Sequence, residues 1–252
     1  MQDKIYIIVP FYNEEKLIRD LVDSLKKQTD QFFYVVYVNN NSADASVEVI
    51  STHQKDALFT YEIIEEHQKG TGCAADSGFR YAITTHHAKY LARTDADCIP
   101  DINWVKSIRK NLIKDNLDFI AGYIKPRTDE IPPLSFIDKM LIPFLLFSFN
   151  LLSKLKSGFF GYKYIYFMVA GNNLAITAPM YEKSGGFPRT AIDTVDEDFV
   201  LGQSVRKLTK RVRRCRDMVE YNSTRRFRAY GSWNIFMWHH GRAYKPEIVD
   251  IR

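Results

Sequence analysis

Near the middle of the chain, Thr94-Asp95-Ala96-Asp97 carries two carboxylates one position apart. Alternate side chains of an extended segment point the same way, so Asp95 and Asp97 can converge on one ligand. Two carboxylates held that close repel each other, and a divalent cation with oxygen ligands relieves the repulsion. A nucleotide diphosphate would supply such an ion with further oxygens. A solvated acidic turn is the plainer reading of the same residues. A second acidic group, Asp196-Glu197-Asp198, opens a stretch with helical spacing. Carboxylates in a first helical turn are favoured by the helix dipole alone.

The surrounding pattern says where these groups must sit. Ile5 to Val9 (IYIIV) is a short apolar, β-branched run that stops at Pro10, which predicts a buried strand. Leu17, Leu21 and Leu25 recur at helical spacing after it, with Asn13 as the expected N-cap. A second strand is expected over Phe33 to Val38, then a turn (NNNSADAS) and a helix capped by Asn41 or Ser42. Leu58 to Ile64 predicts a third strand, and Gly70-Thr71-Gly72 leads into a helix running to about His87. Tyr90 to Thr94 is the fourth strand, ending on the two aspartates, and Asp101 can cap the helix after them. Strand and helix alternate, which implies a parallel sheet with right-handed crossovers and ligands at the carboxyl ends of its strands.

The second half is less regular. Strands are expected at Leu117 to Ile124 and Asn172 to Thr177, with a turn at SGGFPRT and a helix over Val195 to Leu208. The basic run from Arg206 to Arg216 reads as a solvated helix face, or as a surface for anionic lipid. Phe136 to Leu155 reads as an aromatic-rich helix whose default role is core packing, with a lipid-facing or dimer-forming helix as the alternative. Within it, Met140 to Leu152 is shorter than the roughly 20 residues of a spanning helix, and Pro143 and Asn150 interrupt it. A transmembrane span is therefore not expected, while an interfacial or substrate-covering helix stays open.

Composition is that of a folded chain: 46% of the 252 residues are hydrophobic. The net charge of +5 favours anionic ligands and falls short of a dedicated DNA binder. Cys73, Cys98 and Cys215 are an odd, scattered set, which argues against a disulfide framework or a zinc site and fits a reducing compartment. The first residues, MQDKIYIIVPFYNEE, contain no long apolar run, so no signal peptide is expected.

Taken in order, VPFYNEE, VNNNS, TDAD, AGNN (Ala170 to Asn173), GGFP (Gly185 to Pro188) and DEDFVLGQSVRK (Asp196 to Lys207) resemble the family 2 glycosyltransferases of the GT-A fold. The resemblance implies an α/β protein: a single Rossmann-like GT-A domain over residues 1–252, with a mostly parallel mixed sheet flanked by helices. Residues 1–98 would form its nucleotide-binding half and 99–252 its acceptor-binding half. It implies an inverting enzyme with a UDP-sugar as the expected donor and Mn²⁺ or Mg²⁺ as cofactor.

Pro10, Tyr12 and Glu14 stand where that family contacts the nucleoside, though a strand stop and helix cap explain Pro and Glu as well. Asp95 and Asp97 would hold ribose, diphosphate and metal, with Asp97 the direct ligand. Asn39 stands where the family often has an acidic residue that reads the base; its amide can still accept or donate. Lys69 with the glycine turn, and Asp76 a turn further on, are candidates for the nucleotide; a plain helix entry and an ordinary exposed residue are the bland readings. Asn172 and Asn173 would face donor sugar and acceptor. Asp198 would be the catalytic base and Glu197 its neighbour. The family's QxxRW closing segment is absent; Arg225, Arg226 or Arg228 could bind the diphosphate instead, and His239 or His240 could complete the metal shell.

The partners so implied are a nucleotide-sugar and a saccharide or polyprenyl-linked acceptor, with no nucleic acid. The expected location is the cytoplasm, with peripheral contact at the inner membrane face. Two alternatives stand beside this reading. One is a sugar-nucleotide pyrophosphorylase, which would want a Gly-rich basic loop where PFYNEE stands. The other is a binding module that keeps the fold without the chemistry.

Overall fold

A computed structural model of the chain describes residues 3–130, 169–190 and 197–241, with 135, 136, 138–142, 144, 147, 148 and 151 between them; the side chains of 236 and 238–241 are excepted. The chain divides into two compact units, Met1–Ile124 with Val169–Tyr221 and Lys125–Met168 with Asn222–Arg252.

In the first unit the expected alternation is present. It comprises β1 (Ile5–Phe11), α1 (Ile18–Lys26), β2 (Phe33–Asn39), α2 (Ser46–His53), β3 (Thr60–Glu65), α3 (Thr71–His86) and β4 (Tyr90–Arg93). β5 (Cys98–Pro100) and α4 (Trp104–Ile108) follow, and α4 continues as a π-helical turn to Lys114. After β6 (Phe119–Pro126) come β7 (Leu174–Thr177), α5 (Ala178–Ser184), α6 (Glu197–Leu208) and β8 (Val212–Asn222). The second unit contains α7 (Arg225–Tyr230) and α8 (Ser232–Gly241).

The eight strands form one sheet in the order β3-β2-β1-β4-β7-β6-β8-β5. β3, β2, β1 and β4 are mutually parallel; β7 runs antiparallel to both β4 and β6. This is the mixed, mostly parallel α/β fold expected. The chain steps outward from β1 to β2 and β3, then returns to add β4 on the other side of β1. The strand order therefore reverses between β1 and β4, and in such sheets that crevice is where ligands bind.

Strand periodicity divides the core. Ile5, Ile7, Val9 and Phe11 of β1 join Val35 and Tyr37 of β2 in one cluster with Leu21, Val22 and Leu25 of α1. The intervening Ile8 and Val38 meet α3 at Gly78, as the two-residue repeat of a strand requires. A Cβ at Gly78 would lie 2.6 Å from Ile8 Cγ2 and 2.8 Å from Val38 Cγ2. Both are branch methyls on stiff side chains, so α3 sits this close only because residue 78 has none.

Several local expectations are corrected. Asn13 is not the cap of α1: it has φ of 51°, and α1 begins five residues later. Asn41 and Ser42 do not cap α2, which begins at Ser46; Asn41 too is left-handed, with φ of 69°. Both asparagines turn the chain after a strand, a conformation this side chain tolerates. The basic run beyond Arg211 is a strand rather than a helix face. Cys215, Met218 and Glu220 point inward from β8, while Arg213 and Arg216 are exposed. The three cysteines are free and buried. Among the described residues, no helix is long and apolar enough to cross a membrane.

Replacing Gly78 with Ala should overpack the α3–sheet seam and lower stability by about 1–3 kcal/mol. Urea unfolding followed by circular dichroism measures this; an unchanged midpoint would mean the seam has room to yield.

Candidate functional site

The loops after β1, β2 and β3 are laced together by asparagine. The Asn13 amide N–H donates to Ser42 Oγ (3.0 Å), and Asn13 Oδ1 accepts the Ala43 N–H (2.8 Å). Asn40 Nδ2 donates to the carbonyls of Glu66 (2.8 Å) and Gln68 (2.9 Å), and its Oδ1 accepts the Gly70 N–H (2.9 Å). Asn41 Nδ2 reaches the carbonyls of Glu66 and His67, both at 3.2 Å. A side-chain amide can donate or accept, so these asparagines tie backbone groups of either kind. These bonds hold the mouth of the crevice in shape.

Around that mouth, Pro10 and Glu14 are buried and Tyr12 is half-buried at the carboxyl end of β1. The Glu14 N–H donates to Ser46 Oγ (2.8 Å). Asn39 ends β2; its Oδ1 accepts the Ser42 N–H (2.9 Å) and its Nδ2 donates to Glu65 Oε1 (3.2 Å). A carboxylate thus stands beside Asn39, supplied by the neighbouring strand. Lys69 is exposed.

Asp76 is not the exposed residue considered above. It is buried, and its carboxylate accepts from Arg80 Nε (2.9 Å) and the Tyr181 hydroxyl (2.8 Å). The glycine turn has a packing role as well. A Cβ on Gly72 would lie 2.5 Å from the Pro188 carbonyl oxygen, and one on Gly70 2.9 Å from that of Thr190. The GGFP turn explains itself similarly: Gly185 and Gly186 have φ of 89° and 75°, conformations that favour glycine. Arg189, just beyond it, donates to Glu66 (2.7 Å) and Ser77 (2.8 Å) and so pins the turn to the start of α3.

At the end of β4 the structure brings the two acidic motifs together through a residue that pattern reading passed over. Arg93 is 1% exposed. Its Nε donates to Asp95 Oδ1 at 3.0 Å, and its Nη1 and Nη2 each approach Glu197 Oε1 at 3.4 Å. Its guanidinium also lies 5.1 Å from the centroid of the Phe187 ring, a cation–π distance. Burial alone would lower the Arg93 pKa; the carboxylates of Asp95, Glu197 and Asp198 outweigh it and hold the charge firmly on. One signal in the sequence could have found this residue: a charge at the last position of an otherwise apolar strand.

Asp198 accepts two backbone N–H groups, from Gly171 (2.9 Å) and Phe199 (2.7 Å). Burial and the neighbouring Glu197 push its pKa up to about 6, while those N–H groups and Arg93 pull the other way. Asp95 is likewise raised, by burial and by Asp97, against the pull of Arg93. Behind it, Glu220 of β8 is fully buried, accepts from the Thr94 hydroxyl, and has a pKa well above the usual carboxylate range because of burial.

Asn172 and Asn173 act as fasteners in this structure. Asn172 Nδ2 donates to Cys98 Sγ (3.1 Å); Asn173 Oδ1 accepts from Trp104 Nε1 (2.9 Å) and its Nδ2 donates to the Tyr123 carbonyl (3.1 Å). In the second unit, Arg228 is engaged by Glu130 Oε2 at 3.0 Å. The side chains of His239 and His240 lie outside the described residues.

No three His, Cys, Asp or Glu side chains cluster to hold a metal by themselves among the described residues. Asp95 and Asp97 offer two hard oxygen donors, and Asp95 already accepts from Arg93. That set fits a magnesium-like ion that takes one or two carboxylates and fills its other positions from water and a phosphate ligand.

A parallel half-sheet with acidic groups gathered beyond its switch point is an α/β protein with a candidate site where such sheets bind ligands. The family model for glycosyl transferase family 2 matches residues 6–174, well over half of the chain. The chain belongs to that family. It is similar to the glycosyltransferase GlyA of Streptococcus pneumoniae serotype 4, 29% identical over 123 residues that make up 48% of this chain and 17% of that protein. It is also similar to the uncharacterized glycosyltransferase EpsJ of Bacillus subtilis, 28% identical over 132 residues, 50% of this chain and 37% of that one.

Among solved structures, the mannosyltransferase PcManGT from Pyrobaculum calidifontis, in complex with GDP-Man and Mn²⁺, superposes with a TM-score of 0.67 at 19% identity. The match covers 95% of this chain and 62% of that one. Staphylococcus aureus TarS 1-349 in complex with UDP-GlcNAc gives 0.63 at 16% identity, covering 87% and 58%. These likenesses show the GT-A fold. The chain spans less than two thirds of the length of each of these relatives.

Replacing Arg93 with Met leaves Asp95, Glu197 and Asp198 facing one another without a counter-charge. Stability should fall by about 3–5 kcal/mol, read as a lowered chemical-denaturation midpoint. A loss below about 1 kcal/mol, the worth of a surface ion pair, would mean the carboxylates find other partners.

Proposed function

We propose that this protein transfers a sugar from a nucleotide-sugar, UDP-linked, to the hydroxyl of a saccharide or polyprenyl-linked acceptor, with inversion, in the synthesis of a surface glycan or glycolipid. The observation that carries this reading is the buried guanidinium of Arg93, which donates to Asp95 and approaches Glu197. It ties the first acidic motif to the second, where Asp198 has a raised pKa. The family membership and the GT-A fold support it, as do neighbours of that fold in complex with UDP-GlcNAc and with GDP-Man.

In this mechanism Pro10, Tyr12 and the Asn39–Glu65 pair frame the base, and Asp95 and Asp97 face ribose and diphosphate. A bound Mn²⁺ or Mg²⁺ would neutralise charge on the leaving diphosphate. Asp198 accepts the proton of the acceptor hydroxyl. The acceptor oxygen forms a bond to the anomeric carbon as the bond from that carbon to the phosphate oxygen breaks, its electron pair leaving with the nucleoside diphosphate. The two backbone N–H donors fix the Asp198 carboxylate, and its pKa of about 6 leaves it ionised at neutral pH yet basic enough to take the proton.

Two outcomes follow. Asp198→Asn should lower kcat by about 10²–10⁴-fold while leaving donor binding intact. In the wild type, the rate should fall as pH drops below about 6, because the base is then protonated. Near-normal transfer by the variant, or a rate flat through that range, would remove Asp198 from the role.

Calorimetric titration with UDP and with GDP, each with Mn²⁺ and with EDTA, tests the donor. Manganese-dependent UDP binding that Asp97→Asn abolishes is expected. Binding of GDP alone would move the donor to GDP-sugars, and metal-independent binding of both would unseat Asp97 as ligand.

A further inference from the structure

Among the described residues of the second unit, five large apolar side chains are exposed on one helical stretch. The described residues between 136 and 151 are helical. Phe136 is 80% exposed, Met140 67%, Phe144 66%, Phe147 65% and Leu151 47%. Their spacings of four, four, three and four are those at which side chains share one face of a helix. Ile142, on the opposite side of the same helix, is 1% exposed. Asp138, also on that side, accepts a hydrogen bond from Ser232 at the start of α8. The helix therefore buries one side through Ile142 and Asp138, and presents phenylalanine and methionine outward on the other. Core packing, the default expected for this segment, accounts for Ile142 and not for the stripe.

Charge identifies what the stripe faces. Residues 125–168 and 222–252 hold twelve Lys and Arg against five Asp and Glu, a net of +7. The whole chain is +5, so the first unit is −2. All the positive excess lies in the unit with the stripe, where Lys139 stands exposed on its flank. The same residues hold 16 of the chain's 35 aromatics. A second copy docking through this face would bring +7 against +7. Aromatic and long apolar side chains exposed on a net-basic unit are the composition of a helix lying in an anionic lipid interface.

We propose that Phe136, Met140, Phe144, Phe147 and Leu151 seat this unit on an anionic lipid bilayer, with the helix lying in the interface plane rather than crossing it. The face would hold the protein beside lipid-linked substrates, and it stands whether or not the donor assignment above is right.

The test is co-sedimentation of the full chain with vesicles of phosphatidylcholine alone and of phosphatidylcholine with phosphatidylglycerol. Binding is expected to the mixed vesicles, to weaken with added salt, and to be at least about tenfold weaker for Phe144→Glu/Phe147→Glu. These side chains are exposed, so the variant should keep the wild-type circular dichroism; Phe144→Ala/Phe147→Ala provides a milder version with an intermediate loss. Absence of binding to mixed vesicles would overturn the proposal, as would binding indifferent to the substitutions. A wild-type dimer in sedimentation velocity that the substitutions dissociate, with no vesicle binding, would make the stripe a contact between copies instead.

Discussion

The arrangement beyond β4 depends on one buried positive charge. Three carboxylates, from Asp95, Glu197 and Asp198, lie around the Arg93 guanidinium, which is withdrawn from water. Desolvating that many charges is costly, and the cost is offset only when each finds an opposite charge or a hydrogen bond. Asp198 has its two backbone N–H donors, Glu197 and Asp95 have Arg93, and Arg93 has both of them and the Phe187 ring. Residues more than a hundred positions apart are thereby held at fixed spacing. The transfer proposed above would use that spacing, since a base and a leaving group must act on one carbon together.

The rest of the first unit can be understood as support for this point. Gly78 brings α3 onto the sheet, and Gly70 and Gly72 let the 188–190 backbone lie against the start of α3. Arg189 and the Asp76–Tyr181 bond then tie the GGFP turn in place, so Phe187 meets the guanidinium. On the other side, Asn13, Asn40 and Asn41 spend their amides on neighbouring loops. Side chains that look suited to ligands are here used to rigidify the loops that carry ligands, as preorganised sites require. Asn172 and Asn173 are the same case: their amides fasten Cys98, Trp104 and the Tyr123 carbonyl.

The two units differ in chemistry as much as in structure. The first is slightly acidic and has carboxylates gathered beyond the carboxyl end of β4. The second is strongly basic, aromatic, and exposes a narrow apolar stripe.

Periodicity and order were enough for much of this. The alternation from Ile5 to Thr94 gave the parallel half-sheet because buried strands and amphipathic helices impose different spacings on apolar residues, and those spacings are local. The two acidic motifs were visible because like charges at short range in sequence are conspicuous. Tertiary structure decided the rest. The strand β8 was hidden because its inward positions include Cys215 and Glu220 among many arginines, so no clean apolar alternation survives. The roles of Asn13 and Asn41 turned on backbone conformation and on partners about thirty residues away. Arg93 was unremarkable as a letter in the chain, since its function consists of contacts to Asp95 nearby and Glu197 far off. Whether a polar residue faces a ligand or a neighbour depends on which distant groups folding brings to it, and one-dimensional spacing holds no record of that.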